Sequence, residues 1–593
     1  MKQLLMGNEA MAFGAIRAGV GFASGYPGTP STEIIETLSK NNDGSFYVEW
    51  SVNEKSAMEA GAGAAMAGIR TLVTMKQVGL NVASDPLMSL NYTGVKAGMV
   101  IVVADDPGPN SSQTEQDTRH FGIFAKLAVF DPSNPEEAYL MMADAFELSE
   151  RYGRPVIVRP TTRICHGRAT VDMLPKLGYK PNIGFEKSPR WVIFPRLTTM
   201  NKPIIEENLR KLSDELSDYT RNSMQGKGKL GIAAGGTSYT YVKEALRNVT
   251  VDYKLMKVSA YPFPQKKALE FLDGLDKVLV VEELDPVIEN QLVMLCGLHK
   301  LNIDILGKRS QHIQNVGELS PDSVKKSVYD FLGLDFEIPA LPELPEMPIR
   351  PPVMCAGCPH RASFYAVKEV VGKRRAIFGG DIGCYTLGNA PPLSMVDTCL
   401  CMGGGITAAQ GLHRAEPDTL NFAFIGDSTF IHGGITGVIN AVYNEADIIV
   451  VILDNSTTAM TGGQPHPGTG QTLMGNFSQK TNMYEIVKAC GASKVVRCNP
   501  LDFEEAKKAV ESVLDVKGVR VILFEEECLA RTENKYTVIA DKCTGCGICA
   551  KKFACTAINF IDKKAVIVED ACNGCGVCAK ICKPCAIVKK EGN

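Results

Sequence analysis

No apolar run in this 593-residue sequence approaches the ~18 residues that a membrane-spanning helix needs. The runs that do occur, such as Met99 to Val103 and Ile448 to Leu453, have the length of buried strands. Aromatic residues are few, at 7 %, while 45 % hydrophobic and 22 % charged residues are the proportions of a soluble globular protein. Excess charge is lacking too: a net −3 leaves no basic surplus of the kind nucleic-acid binding requires. Nor is a secretory leader readable. Glu9 interrupts Met1 to Ile16, and no small-residue cleavage site follows, so a cytoplasmic location is expected. No short-period repeat is visible.

The length exceeds what one core can serve, and roughly three to five domains are expected. Residues 1–185 alternate β-branched runs with Ala/Gly-rich amphipathic stretches, for example Glu54 to Arg70, then Thr71 to Met75, then Gly98 to Ala104, which reads as β/α/β with a parallel sheet. A second, smaller α/β block spans 186–340, with strands at Leu230 to Gly235 and Val278 to Glu282. Residues 336–352 hold six prolines and no helical periodicity; this places a linker at 341–352. A third α/β block, 353–532, has strands at Ala376 to Phe378, Asn421 to Ile425, Ile448 to Leu453 and Val519 to Phe524. It matches the first in size and class. A Cys-rich tail, 533–593, follows.

Nineteen cysteines in a cytoplasmic chain argue against disulfides, and nine fall in the last 51 residues. The tail carries Cys543-x2-Cys546-x2-Cys549 and, further along, Cys572-x2-Cys575-x2-Cys578-x3-Cys582. Such triple spacing wraps one face of an iron–sulfur cubane, with the fourth thiolate supplied by the other motif; structural zinc uses paired CxxC instead. Cys543, Cys546, Cys549 and Cys582 form one expected set. Cys572, Cys575 and Cys578 form the other, but its fourth position falls on Phe553. Cys555 through a bulge, only three cysteine ligands, or Cys585 are the alternatives. Residues 535–593 have ten Lys against five Asp or Glu, so the tail is +5 and suits an acidic electron carrier.

In the third block Gly426-Asp427-Ser428 and Asp454-Asn455 each follow a predicted strand, where open α/β sheets bind ligands. Asp427, Asn455 and the Thr457 carbonyl are hard oxygen ligands suited to Mg²⁺ and a diphosphate. The pattern and its spacing resemble the thiamine-diphosphate motif GDG-x(24–27)-NN, with Ser428 and Asp454 replacing residues that are not ligands. Gly403, Gly404 and Gly405 open an Ala-rich helix and are read as a phosphate cradle. Cys355-Ala-Gly-Cys358-Pro-His360 and Gly383-Cys384 are read as cofactor-pocket lining, with a metal or redox role as the alternative. His466, in the turn-rich segment Gly462 to Gly468, is a candidate substrate contact.

Taken together, Tyr26-Pro-Gly-Thr-Pro-Ser31, the helix opening at Glu54, CAGCPHR, DIGCYTLG, the GDS/DN pair and the ferredoxin-like tail resemble the 2-oxoacid:ferredoxin oxidoreductase superfamily. Within it the chain is similar to the alpha subunits of indolepyruvate ferredoxin oxidoreductases over nearly its whole length. The resemblance implies an α/β multidomain protein: pyrimidine-binding (1–185) and diphosphate-binding (353–532) thiamine diphosphate domains, a transketolase C-terminal-like domain (186–340), and a two-cluster ferredoxin-like domain (533–593). It implies Glu54 as the carboxyl that activates the aminopyrimidine, with Ala57 at +3 and Gly63 at +9, and Glu59 as runner-up. Thr29 becomes a substrate-facing threonine. Arg119 and His120 are candidates for gripping the substrate carboxylate.

The implied activity is oxygen-sensitive decarboxylation of an aryl pyruvate such as indolepyruvate to acyl-CoA. Coenzyme A is co-substrate, two 4Fe-4S clusters carry electrons to ferredoxin, and a smaller beta subunit completes an α2β2 enzyme. Pyruvate or branched-chain 2-oxo acids are the alternative substrates. An electron-transfer protein with a vestigial thiamine site and a non-oxidative decarboxylase are the readings from other classes.

Overall fold

The computed structural model describes residues 1–338, 345–349, 351–528 and 534–590. The chain folds as two compact units, Met1–Leu344 and Pro345–Asn593. Within the Pro-rich segment expected at 341–352, residues 341–344 and 350 lie outside the described residues, as does the boundary expected at 532/533.

The first unit is built on a seven-stranded sheet in the order Ala260–Tyr261, Ala128–Phe130, Val156–Val158, Met99–Ala104, Thr71–Lys76, Phe22–Gly25, Tyr47–Trp50. All strands are parallel except Ala260–Tyr261, which pairs antiparallel with Ala128–Phe130. Met99–Ala104 is buried along its whole length, as its uninterrupted apolar sequence demands of a strand covered on both faces. The flanking helix Pro135–Tyr152 starts where the Asn134 side chain accepts from the Glu137 amide, and it stops at Gly153 with φ 59°. A second, mostly parallel sheet runs Asp304–Leu306, Lys277–Val281, Leu230–Gly235, Lys254–Val258, with Met224–Gly226 antiparallel at the edge.

The two blocks read from the sequence share one core here. A single apolar cluster runs from Met58 and Leu87 through Val129 to Phe271 and Leu292, and Ala260–Tyr261 leaves the second block to join the first sheet. A two-residue strand carries no alternation, so no sequence period announces it.

The second unit centres on five parallel strands in the order Ala376–Gly379, Leu420–Gly426, Ile448–Asp454, Val519–Glu525, Lys494–Cys498. Phe422, Phe424, Ile449 and Val451 face one apolar cluster, while Ala423, Ile425, Val450 and Ile452 face another. Burial of both faces is the physical reason these strands read as continuous hydrophobic runs. The edge strand Lys494–Cys498 is half-buried and escaped the sequence reading. In the tail two antiparallel pairs, Tyr536–Val538 with Ile587–Lys589 and Ile558–Ile561 with Lys564–Ile567, frame the cysteine loops. Phe553, Val577 and Ile581 anchor this small domain in the core of its unit. The expected architecture of parallel-sheet α/β domains with a small ferredoxin-like domain is borne out. Among the described residues no helix is long and apolar enough to cross a membrane.

Candidate active site and electron-transfer centres

Leu420–Gly426 and Ile448–Asp454 are neighbours in register, Gly426 beside Leu453, so Asp427 and Asn455 emerge side by side at the carboxyl edge of the sheet. The Asn455 side-chain oxygen lies 3.3 Å from Asp427 Oδ1 and 2.9 Å from the Thr457 carbonyl oxygen. With nitrogen in that place the amide would donate to both. With oxygen there, three oxygens converge with no proton between them, and the amide nitrogen donates instead to the Cys528 sulfur. A divalent cation held there would stabilise the second arrangement: ligands about 2.0–2.1 Å from Mg²⁺ stand about 3 Å apart along an octahedral edge. The donor set therefore fits the ion expected from the sequence.

Burial works against charge on Asp427, but His466 and the Ser428 amide hold its carboxyl below the ordinary range. Neighbouring Asp454 is pushed up to about 6 by burial and by the charge of Asp427. His466 is buried, with Nε2 3.2 Å from Asp427 Oδ2 and Nδ1 accepting from the Gly468 amide at 3.1 Å. Both ring nitrogens are thus engaged, one with Asp427 and the other with the Gly468 amide. Ser428 Oγ accepts from Thr458 Oγ1 at 3.1 Å. Gly426 leaves room for Tyr385, whose ring a Cβ there would meet at 2.6 Å.

The phosphate cradle expected at Gly403 and Gly404 requires correction. The amides of Gly403 and Gly405 donate to the two carboxylate oxygens of buried Asp381 at 2.8 and 2.9 Å, and the Gly404 amide donates to the Cys401 carbonyl. These glycines serve close packing: a Cβ on Gly405 would meet the Gly380 carbonyl oxygen at 2.6 Å. Asp381 was not singled out from the sequence, because nothing local distinguishes a carboxylate that caps a loop several turns further along the chain.

Cys358 precedes the helix Pro359–Val371, and burial pushes its thiol up to about 11. Burial also raises Cys384, whose neighbouring thiols are Cys528 and Cys355. Cys528 has Cys355 and Asp427 as neighbours and the Asn455 amide as a donor. Sequence reasoning missed Cys528, which has no partner at motif spacing.

In the tail, Cys543, Cys546, Cys549 and Cys582 line one cavity; Cys555, Cys572, Cys575 and Cys578 line another. The broad turn Ile548–Lys552 and the left-handed Ala554 (φ 53°) bring Cys555 in, while Phe553 turns into the core against Tyr365. Cys585 is exposed and donates to the Lys583 carbonyl. Among the described residues no three His, Cys, Asp or Glu converge on a single ion; a cubane is instead gripped from several sides of a cavity. The CxxC loop touches the second cavity directly. Asn573 Nδ2 donates to the Ala356 carbonyl at 2.6 Å, the Gly357 amide donates to the Cys555 sulfur, and Arg361 Nη1 donates to the Ala554 carbonyl.

In the first unit Glu54 is buried at the first turn of the helix Glu54–Met66, which Asn53 caps by accepting from the Ser56 amide. Its carboxyl lies against Gly79, where a Cβ would meet Oε1 at 2.6 Å. Glu59, the runner-up, is exposed and paired with Lys55. Thr29 is half-buried in a loop closed by Ser31 Oγ donating to the Gly28 carbonyl.

Arg119 also requires correction. Its guanidinium is buried and committed to Asp117 (2.6 Å), Glu282 (2.7 Å) and the Glu283 carbonyl (2.8 Å), which leaves no donor fork for a substrate. It joins the two sheets of its unit. His120 is half-exposed and 3.0 Å from Asp285. Arg119→Met is expected to cost about 3–5 kcal/mol, because Asp117 and Glu282 would stay buried without their cation. A thermal midpoint equal to that of the wild type would show that the pair contributes nothing net.

Residues 13–213 match the family model for "Pyruvate flavodoxin/ferredoxin oxidoreductase, thiamine diP-bdg", and residues 381–524 match "Thiamine pyrophosphate enzyme, C-terminal TPP binding domain". Over 612 residues the chain is 40 % identical to indolepyruvate oxidoreductase subunit IorA of Methanothermobacter thermautotrophicus, spanning 100 % of this chain and 98 % of that one. The chain belongs to this family of indolepyruvate oxidoreductase subunits. The subunit of Archaeoglobus fulgidus is 41 % identical with the same coverage, and that of Pyrococcus horikoshii 40 % identical across 94 % of this chain and 92 % of its own. Membership of the 2-oxoacid:ferredoxin oxidoreductase superfamily makes the chain an oxidoreductase with thiamine diphosphate-binding domains.

Proposed function

We propose that this chain is the thiamine-diphosphate and iron–sulfur subunit of an enzyme that converts an aryl pyruvate, indolepyruvate foremost, with coenzyme A into acyl-CoA and CO2. One C–C bond and the S–H bond of coenzyme A break, one C–S bond forms, two electrons leave singly for two ferredoxins, and one proton is released. The observation that carries the reading is the convergence of the Asp427, Asn455 and Thr457 oxygens at the carboxyl edge of the second unit's sheet. Thiamine diphosphate, held by these residues, would supply the nucleophilic carbon and electron sink that a 2-oxo acid needs to lose CO2. Glu54 holds a proton at the coenzyme's ring nitrogen. Asp427, Asn455 and Thr457 hold the Mg²⁺ that anchors the diphosphate, and His466 fixes Asp427.

The electron path begins beside the metal site. Cys528 receives the Asn455 amide and neighbours Cys355 and Cys384, while the Cys355–Cys358 loop touches the cavity of Cys555, Cys572, Cys575 and Cys578. Both tail cavities suit 4Fe-4S clusters, and Cys355, Cys358, Cys384 and Cys528 suit a third. The cavity of Cys543, Cys546, Cys549 and Cys582 is then the exit. Exposed Lys542, Lys551, Lys552 and Lys563 lie in the segments that carry its lining residues, and among the described residues none of these has a carboxylate partner. Near the other cavity, Lys580 pairs with Asp502 and Lys590 with Glu569. A cytoplasmic α2β2 assembly with a smaller subunit completes the proposal.

Air-free assembled enzyme, assayed with several 2-oxo acids, coenzyme A and a viologen, tests the activity. Turnover of indolepyruvate above pyruvate supports it, and inertness toward all 2-oxo acids refutes it. Iron at about twelve per chain supports three clusters, and about eight refutes the third. K551E/K552E is expected to slow ferredoxin reduction about tenfold at low salt while viologen reduction holds; equal slowing with both acceptors would place the exit elsewhere.

A further inference from the structure

We propose that Lys76 binds the carboxylate of the 2-oxo acid, because it is a partly buried cation with donors to spare at the carboxyl end of the central strand, beside both Glu54 and the Thr29 loop. The inference rests on the reading of this chain as a 2-oxo acid enzyme. Lys76 ends Thr71–Lys76, which lies between Phe22–Gly25 and Met99–Ala104. Ligands of open parallel sheets bind at that edge. Its stem lies on the backbone that carries Thr29: a Cβ on Gly28 would come within 3.3 Å of Lys76 Cγ and 3.4 Å of Cδ.

Among the described residues the Lys76 ammonium has one hydrogen bond, to neutral Gln113 Oε1 at 3.2 Å, and an ammonium has three donors to place. Glu54 and Asp106 act on it only through their charge. Asp106 is occupied with Thr162 Oγ1 at 2.6 Å and the Ser111 and Ser112 amides at 2.8 and 3.0 Å. Burial lowers the Lys76 pKa against the attraction of those two carboxylates, so an incoming carboxylate restores a partner that folding withholds.

The other cations at this edge are committed. Arg119 and Arg159 are locked to buried aspartates, Arg163 to Glu318 and Lys55 to Glu59. The chemistry favours this residue type. The bound carboxylate is the group that leaves as CO2, so a contact that loosens as its charge departs should govern capture more than turnover. An ammonium on a flexible stem makes such a contact more readily than a bidentate guanidinium.

The test uses enzyme assembled with its partner subunit, thiamine diphosphate and Mg²⁺. K76M is expected to raise KM for indolepyruvate about 30-fold or more with kcat within about threefold, and K76R to recover much of that loss. Calorimetry with indole-3-propionate and indole-3-propionamide supplies a readout apart from turnover: the wild type should prefer the acid by about tenfold or more, and K76M should show a ratio near one. K76Q replaces K76M should the latter fail to fold. An unchanged KM, an unchanged acid-to-amide ratio, or a loss confined to thiamine diphosphate affinity would overturn the assignment. A wild type inert toward all 2-oxo acids would instead refute the proposed function, and this inference with it.

Discussion

Glu54→Gln is expected to cut turnover by about 10²- to 10⁴-fold while leaving thiamine diphosphate binding within about threefold. The substitution keeps shape and hydrogen bonding at the head of the helix, where Asn53 caps the first turn by accepting from the Ser56 amide and Glu54 is buried against Gly79. What it removes is the exchangeable proton. A carboxyl can pass that proton to a ring nitrogen and recover it, whereas an amide can only hydrogen-bond. Burial matters because it excludes water that would otherwise do the same work poorly. Turnover measured with viologen, beside equilibrium binding of the coenzyme, separates the two effects. Full activity in Glu54→Gln would mean that another group activates the coenzyme, and exposed Glu59, engaged with Lys55, would be a poor substitute.

Asp427→Ala should abolish measurable Mg²⁺-dependent coenzyme binding and lower activity by about 10³-fold or more. The carboxylate contributes the only formal charge among the three converging oxygens, and it also faces His466 and accepts from the Asn455 backbone amide. Its loss therefore removes a ligand and the anchor of the loop that carries the other two. Mg²⁺ demands near-ideal octahedral geometry, so a ligand lost and a loop displaced weaken the site together. Asn455→Ala, which spares the charge, should weaken binding less. Calorimetric titration of coenzyme with Mg²⁺ into each variant distinguishes these, and equal affinities for Asp427→Ala and wild type would show that the diphosphate is held elsewhere.

The placements legible in the sequence are those whose physics is local along the chain. Cys543, Cys546 and Cys549 must share one turn at that spacing, and two strands of a parallel sheet must end together, which sets Asp427 beside Asn455. Even at the irregular fourth position Cys555 reaches the second cavity, because a broad turn and one left-handed residue absorb the extra spacing. The readings that needed correction depend on partners far away in sequence. Arg119 sits in a loop that looks exposed, yet Glu282, 163 positions on, claims it. Gly403 and Gly404 look like a phosphate cradle until Asp381 and Cys401 are found to hold their amides.

Residue order by itself determined which candidate groups stand out: two cysteine sets, an Asp/Asn pair at two strand ends and a carboxyl at a helix start, each marked by motif spacing or by the end of an element. Only the tertiary structure decided which cations are locked in buried ion pairs, such as Arg119 and Arg159, because those pairs are set by packing between strands that sequence separation does not order. It decided likewise that Cys528 stands beside Asp427 and Asn455, since the strand Val519–Glu525, next to Ile448–Asp454 in the sheet, delivers it there from far downstream of Asn455.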